Sequence, residues 1–243
     1  MRLFLAGSGW EKLWIPKKNF DFYRLESYFY ISKKEIPYIN QYKSFILDSG
    51  AFTYLNGCKT NPNWDKYIED YADFIKTNKV KYFIELDIDS VVGLKQVERL
   101  RSKLEFLTGQ KSIPVWHKSR GLNYWEFMTK NYDYVAIGGI VTKEIKSSEY
   151  DMFIPLLNIA KKNNCKVHGL GFTNLTGLEK YSFYSVDSTS WLSGNRFGSV
   201  YLFNGRTMTK HNKKEGQRVK TLKVALHNFK QWVKFSKYAE LNL

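Results

Sequence analysis

Cysteine is nearly absent from this chain: of 243 residues only Cys58 and Cys165 carry a thiol, far apart and without a Cys-x-x-Cys spacing. Two such cysteines cannot build a zinc cluster by themselves, and a reducing cytoplasm is the simplest expected compartment. No stretch approaches the ~20 consecutive apolar residues that a membrane span needs. The apolar run of Met1–Gly7 is too short for a signal peptide and reads as a first β-strand. No Gly-x-Gly-x-x-Gly follows that strand and no Walker-type phosphate loop occurs, so neither a dinucleotide fold nor a P-loop enzyme has support. Internal repeats and low-complexity segments are also missing.

Apolar residues and positive charge are plentiful. Hydrophobic side chains make up 43% of the chain, enough to bury a sizeable core. Aromatics reach 17%, more than a core alone requires, which leaves rings available to stack on bases. Thirty-eight Lys and Arg against twenty-three Asp and Glu give a formal charge of +15. An excess of that size favours a polyanionic partner through counterion release and steering, although a Lys-rich composition bias produces the same balance.

Short β-rich runs alternate with amphipathic stretches. Strands are expected at Arg2 to Ala6, Ser44 to Leu47, Lys81 to Leu86, Ile113 to Trp116, Tyr134 to Ile137, Lys166 to Gly169, Tyr184 to Val186 and Ser199 to Phe203. Helices are expected at Trp64 to Thr77, Lys95 to Leu107, Tyr124 to Asn131, Tyr150 to Lys162 and Leu175 to Tyr181. Tyr67, Tyr71, Phe74 and Ile75 recur at helical spacing, and Asn63 precedes them as an N-cap. Parallel strands need crossover connections, so this alternation predicts an α/β fold with a parallel sheet. Eight strands suggest an abbreviated (β/α)₈ TIM-like barrel in a single domain over residues 1–243, with an open doubly wound sheet as the alternative. Gly7 to Tyr42, aromatic and weakly periodic, reads as a loop insertion or an extra hairpin. Residues 204–243 read as a basic loop and a C-terminal helix, Arg218 to Tyr238, whose buried face carries Leu222, Ala225, Leu226, Phe229, Trp232 and Val233.

Polar groups collect where expected strands end, the rim that carries active sites in a barrel. Asp48, followed by Ser49 and Gly50, is either a carboxylate projecting into the mouth or an ordinary turn aspartate. Glu85, Asp87 and Asp89 alternate along a strand end, suited to a cation, to a substrate's N–H donors or to pairing with lysines. His117, after Trp116, is a candidate base or donor, or a structural histidine; Trp116 is core or a stacking surface. Gly138-Gly139-Ile140 either lets a flat ligand approach backbone N–H groups or makes a tight turn. His168 to Thr173 has the same small-residue character. Asp187 ends a strand and enters a long polar loop, Ser188 to Arg196, whose Arg196 is suited to a phosphate.

In this order the motifs resemble the tRNA-guanine transglycosylase family, above all its short phage and bacterial relatives that modify guanine in DNA. Asp-Ser-Gly-Ala-Phe at 48–52 is similar to the family's Asp-Ser-Gly-Gly-Phe, which implies Asp48 as general base with Ser49 and Phe52 beside the base. The resemblance further implies Asp87, Gly138, Gly139 and Ile140 as base contacts, with Trp116 and His117 where the family has a glutamine. It implies Asp187 as the nucleophile, and Ser193, Asn195 and Arg196 on the strand-binding loop, joined by the basic Arg206 and Lys210. His168 to Thr173 resembles the family's His-x-x-x-Gly-x-Gly stretch.

The departures are specific. Asn204 to Leu243 contains no cysteine, so the family's zinc site is missing and neither His211 nor His227 inherits a ligand role. Small size and missing zinc tilt the expected substrate toward DNA, with tRNA the alternative, and toward a host's cytoplasm if the gene is phage-borne. The implied chemistry needs no metal or cofactor: an aspartate captures the anomeric carbon as guanine leaves, and a 7-deazaguanine base displaces the ester. Rival expectations are a hydrolytic N-glycosidase or nucleosidase using the same aspartates, and a non-catalytic nucleic-acid-binding barrel.

Overall fold

The computed structural model describes residues 1–7, 20–55, 62–175, 177–193, 197–212 and 220–243, without the side chains of Phe52 and Leu55. Eight strands form one all-parallel, curled sheet: β1 (Arg2–Ala6), β2 (Phe20–Ser27), β3 (Tyr42–Asp48), β4 (Tyr82–Phe83), β5 (Val115–Trp116), β6 (Tyr134–Ile137), β7 (Lys166–Gly169) and β8 (Ser185–Ser188). Their order is β4-β3-β2-β1-β8-β7-β6-β5. The helices between them are α1 (Ala51–Leu55), α2 (Trp64–Thr77), α3 (Asp89–Val92), α4 (Leu94–Thr108), α5 (Gly121–Asn131) and α6 (Phe153–Lys162). The fold is thus TIM-like, but among the described residues no continuous ladder closes the sheet.

Between β4 and β5 the ladder shrinks to one parallel bridge, Ile84 with Ile113. Two backbone bonds serve it, Glu85 N–H to Ile113 O at 3.0 Å and Ile113 N–H to Phe83 O at 2.8 Å. The next donor, Val115 N–H, finds no backbone acceptor across the seam; it donates to Glu85 Oε1 at 2.7 Å instead. Arg120 Nη1 in turn donates to Val115 O. Side chains continue the seam where backbone pairing stops.

Alternation along each strand divides the core. Phe4, Ala6, Tyr23, Leu25, Ile46, Ile84, Ile113, Val115, Tyr134 and Ala136 fill the concave interior. Their neighbours Leu3, Leu5, Phe22, Phe45, Leu47, Phe83, Trp116, Val135, Ile137 and Val186 pack on the other face with the helices. Such two-sided burial is the mark of parallel strands flanked by crossovers. Helix α2 begins where Asn63 Oδ1 accepts the Lys66 N–H at 3.1 Å, the expected cap.

Four expectations are corrected. Gly7 to Tyr42 is not merely a loop or hairpin: it contains β2, an eight-residue strand between β1 and β3. Its outward face hid the strand pattern, because Arg24 and Glu26 are buried there with Glu35; Arg24 binds Glu35 at 2.8 and 2.9 Å and also pairs with Glu26. Conversely, Ser199 to Phe203 lies outside the main sheet, as β9 (Val200–Phe203) antiparallel to β10 (Met208–His211). Leu175 to Tyr181 forms turns among its described residues rather than a helix. Leu222 points away from the buried face of α7 (Thr221–Asn242), being 59% exposed.

That helix ties the small ribbon to the sheet. Asn228 accepts from Tyr201 N–H and donates to Ser199 O, both at 2.9 Å, while Ser236 Oγ donates to Leu3 O at 2.9 Å. Trp232 is fully buried between them, where truncation to alanine costs about 3–5 kcal/mol. No helix among the described residues is long and apolar enough to cross a membrane.

Candidate active site

The interior files of the sheet end in functional groups. Continuing each file by two residues leads from Ile46 to Asp48, from Val115 to His117, from Ala136 to Gly138 and from Ser185 to Asp187, because strand side chains repeat every second position. All the strands are parallel, so these groups meet at one rim. The expectation that Asp48 and Asp187 share a mouth therefore agrees with the topology.

Asp187 is held through one oxygen. Its Oδ1 accepts from Gly171 N–H at 2.6 Å and from His168 Nε2 at 3.2 Å. No described residue donates to Oδ2. Gly171 has φ +66°, a left-handed conformation that lets its N–H turn back to the strand end, and a Cβ there would strike Val141. His168 is wholly buried; its Nδ1 meets Ser185 Oγ at 2.7 Å, and that hydroxyl meets Tyr134 OH. Since Oδ1 is an acceptor, Nε2 carries a hydrogen and donates it. The chain Tyr134–Ser185–His168–Asp187 fixes both the ring and the carboxylate.

Asp48 is partly exposed and accepts Gly50 N–H at 3.0 Å. Burial raises its pKa to about 6, the charges of Asp187 and Asp87 add to the rise, and the Gly50 N–H and Ser27 hydroxyl oppose it. The charge of Asp187 is thus felt at Asp48, as their places on one rim require.

Asp87 belongs to a different arrangement. Both its oxygens face His117 Nε2, at 3.0 and 2.8 Å, while His117 Nδ1 contacts Glu144 Oε2 at 2.8 Å. Burial alone would lower the His117 pKa, but the two carboxylates raise it to about 9, so it is an imidazolium at neutral pH. Arg120 then spans all three alternating acids, reaching Glu85 at 3.2 Å, Asp87 at 3.2 Å and Asp89 at 2.9 Å. Three atoms of Asp87, Asp89 and His117 lie within 4.8 Å of one another, a spacing that suits a cation. Those donors are already engaged with Arg120 and with each other.

Several expected base contacts are corrected by their surroundings. Trp116 faces the helices, 2% exposed, with its indole N–H on Gly121 O at 2.9 Å; inward His117 forces its predecessor outward. Ser49, next to inward Asp48, is likewise turned away and fully buried, with its carbonyl accepting from Tyr67 of α2. Gly138 N–H is taken by Trp116 O at 2.9 Å. A Cβ on Gly138 would lie 2.8 Å from His117, and one on Gly139 2.7 Å from Glu144, so the space these glycines leave admits protein side chains. Ile140 is buried, 8% exposed.

On the strand-binding side, Ser193 is partly exposed, with its hydroxyl oxygen buried and unpartnered. Asn195, Arg196 and the Phe52 side chain lie outside the described residues. Arg206 and Lys210 stand exposed on the β9–β10 ribbon, Arg206 paired with Glu179 at 3.3 Å.

Sequence reasoning missed Arg120, Glu144, Ser185 and Tyr134. Only Ser185 carried a signal, as the residue two before Asp187 on the same strand face. It also missed an aromatic rim. Phe29 and Tyr30, 42% and 56% exposed, follow β2 beside Asp48, whose carbonyl accepts the Tyr28 N–H at 2.8 Å. No family model matches the chain, and no curated protein matches it in sequence.

Proposed function

We propose that this protein is a transglycosylase that exchanges guanine in a nucleic acid for a 7-deazaguanine-type base through a covalent glycosyl ester on Asp187. The observation that carries the reading is the setting of Asp187: two N–H donors hold Oδ1, no described donor occupies Oδ2, and Asp48 titrates near neutrality on the same rim.

In the first half-reaction, Asp187 Oδ2 attacks C1′ as the C1′–N9 bond breaks. Guanine departs with that electron pair and takes a proton from the acid form of Asp48. In the second, Asp48 as carboxylate removes the N9 proton of the incoming base, whose nitrogen forms the new C1′–N9 bond. The ester C–O bond breaks, Asp187 regains its charge, and two inversions retain the configuration at C1′. A pKa near 6 suits a group that gives a proton in one step and takes it back in the next.

The target nucleotide must first leave its stack, which costs about a few kcal/mol. Phe29 and Tyr30 offer faces for the neighbouring bases, and the charge of +15 holds the phosphates. DNA is favoured over tRNA because residues 204–243 hold no cysteine for the zinc site that the resembling tRNA enzymes carry. The cytoplasm is the compartment where such a substrate is met.

Incubation of the protein with DNA or tRNA, isotopically labelled guanine and a 7-deazaguanine base tests the reading. Label should enter one of the two polymers, and a denaturant-resistant adduct should form with native protein but not with Asp187→Asn. Equal adduct from that variant would exclude Asp187 as nucleophile. Water replacing the incoming base would make the same pair a hydrolytic N-glycosidase, recognised by abasic sites that form without any added base.

A further inference from the structure

The opposite end of the sheet has its own chemistry. A cavity of about 440 Å³ opens among the strand N-termini, lined by Arg2, Tyr23, Asn40, Lys43, Ser44, Lys81, Tyr82 and Glu240, with apolar walls. Tyr42 and Asp48 bound β3, so the cavity lies one strand length, roughly 20 Å, from the candidate active site.

Its charge is unbalanced. Glu240 is the one carboxylate in the lining, and it is engaged by Lys43 Nζ and by Tyr23 OH, each at 2.6 Å. Arg2 and Lys81 have no carboxylate partner among the described residues; each lies over a ring instead, Arg2 at 4.6 Å from the Tyr184 centroid and Lys81 at 5.3 Å from that of Tyr82. Lys166, at the start of β7, lies over Tyr184 at 5.2 Å. Tyr134 makes edge-to-face contacts with both Tyr82 and Tyr184, which fixes the platform. Aromatic faces attract cations but leave their N–H donors unsatisfied, so each keeps its capacity for a strong charge-assisted bond.

A phosphate alone would fill little of this volume. Tyr23 and Tyr82 add aromatic wall to the lining, and the Asn40 side chain, whose N–H₂ is bound to Asn78 O, keeps its carbonyl oxygen as an acceptor. Cavities of this size take ligands larger than a bare anion. We infer that the N-terminal end of the sheet is a second binding site, one for a nucleotide phosphate, with Arg2 and Lys81 on the phosphate and the aromatic wall of Tyr23 and Tyr82 beside the ring system. This assignment does not depend on the transglycosylase reading.

Two sources share that chemistry, a free mononucleotide and a nucleotide within a strand. Calorimetric titration with UMP and with a thymidine oligonucleotide separates them, since neither presents guanine to the rim. Saturable binding is expected for at least one. Arg2→Gln and the exposed Lys81→Glu should each weaken it about tenfold or more, with Asp187→Asn leaving it unchanged and circular dichroism confirming the fold. Tighter binding of UMP identifies the free nucleotide, and tighter, steeply salt-dependent binding of the oligonucleotide identifies the strand. No saturable binding of either at millimolar concentration, or binding indifferent to both variants, would overturn the inference.

Discussion

The rim holds two histidine–aspartate pairs built from opposite surroundings. His168 meets Asp187 through one nitrogen and a hydroxyl through the other, deep in the interior. His117 meets Asp87 through one nitrogen and a second carboxylate, Glu144, through the other. A hydroxyl is content with a single fixed hydrogen, so the first pair orients a carboxylate and leaves one oxygen without a described donor. A carboxylate on each side demands two N–H groups, so the second pair is an ion cluster that holds the loops after β4, β5 and β6 together. In the proposed reaction the same two residue types thus serve attack in one place and architecture in the other, and their third neighbour decides which.

Removing the proposed nucleophile tests the first pair most severely. Asp187→Asn should lower exchange by about 10³-fold or more while sparing nucleic-acid affinity, as single-turnover kinetics would measure. Breaking its support should cost less: His168→Leu removes one of two donors to Oδ1, and kcat should fall about 10²-fold with little change in KM. A larger change in KM than in kcat would assign His168 to substrate binding instead.

In the proposed mechanism Asp48 links the two half-reactions by its titration near 6. Adduct formation should slow as pH rises through about 6, because it uses the acid form. Resolution of the adduct by incoming base should quicken over the same range, and Asp48→Asn should flatten both profiles. Identical slopes for the two steps would refute the shared proton.

For the second pair the readout is stability. The His117 pKa rises on folding from its ordinary value of 6.5 to about 9. Its stabilisation is therefore complete below about pH 6.5 and is lost as pH rises through about 9. His117→Gln should cost about 1–3 kcal/mol at pH 6.5 and much less at pH 10, seen as converging denaturation midpoints. The smallest effect belongs to the surface: Lys210→Gln should lower the slope of log affinity against log salt by about one, alike for every sequence.

What was legible followed from period and strand ends. Residues Tyr134 to Ile137 and Lys166 to Gly169 agree with β6 and β7 residue for residue, since branched and aromatic residues there are bounded by turns. Asp48 and Asp187 could be singled out as candidates because each closes an apolar strand, although Asp48 by itself reads equally well as a turn aspartate. Strand β2 was hidden because Arg24 and Glu26 occupy buried positions normally filled by apolar residues, and only their meeting with Glu35 in space makes that tolerable. Arg120 was invisible for the same reason: its three acids alternate along one segment, while the cation comes from the far side of the seam. Pairwise charge neutralisation across a fold leaves no mark on local spacing.

The seam itself has a mechanical consequence. Where other neighbouring strands are laced by backbone, β4 and β5 are buttoned by Glu85, Arg120, Asp87 and His117, groups that answer to protons and salt. The sheet therefore carries a built-in line of least resistance that runs straight to the rim. Amide protons at Glu85 and Ile113, the two that bond across the seam, should exchange sooner than those of β1, and alkaline or high-salt solution should hasten them further. On the proposed function, an extruded nucleoside entering the mouth would find its wall most yielding along that line.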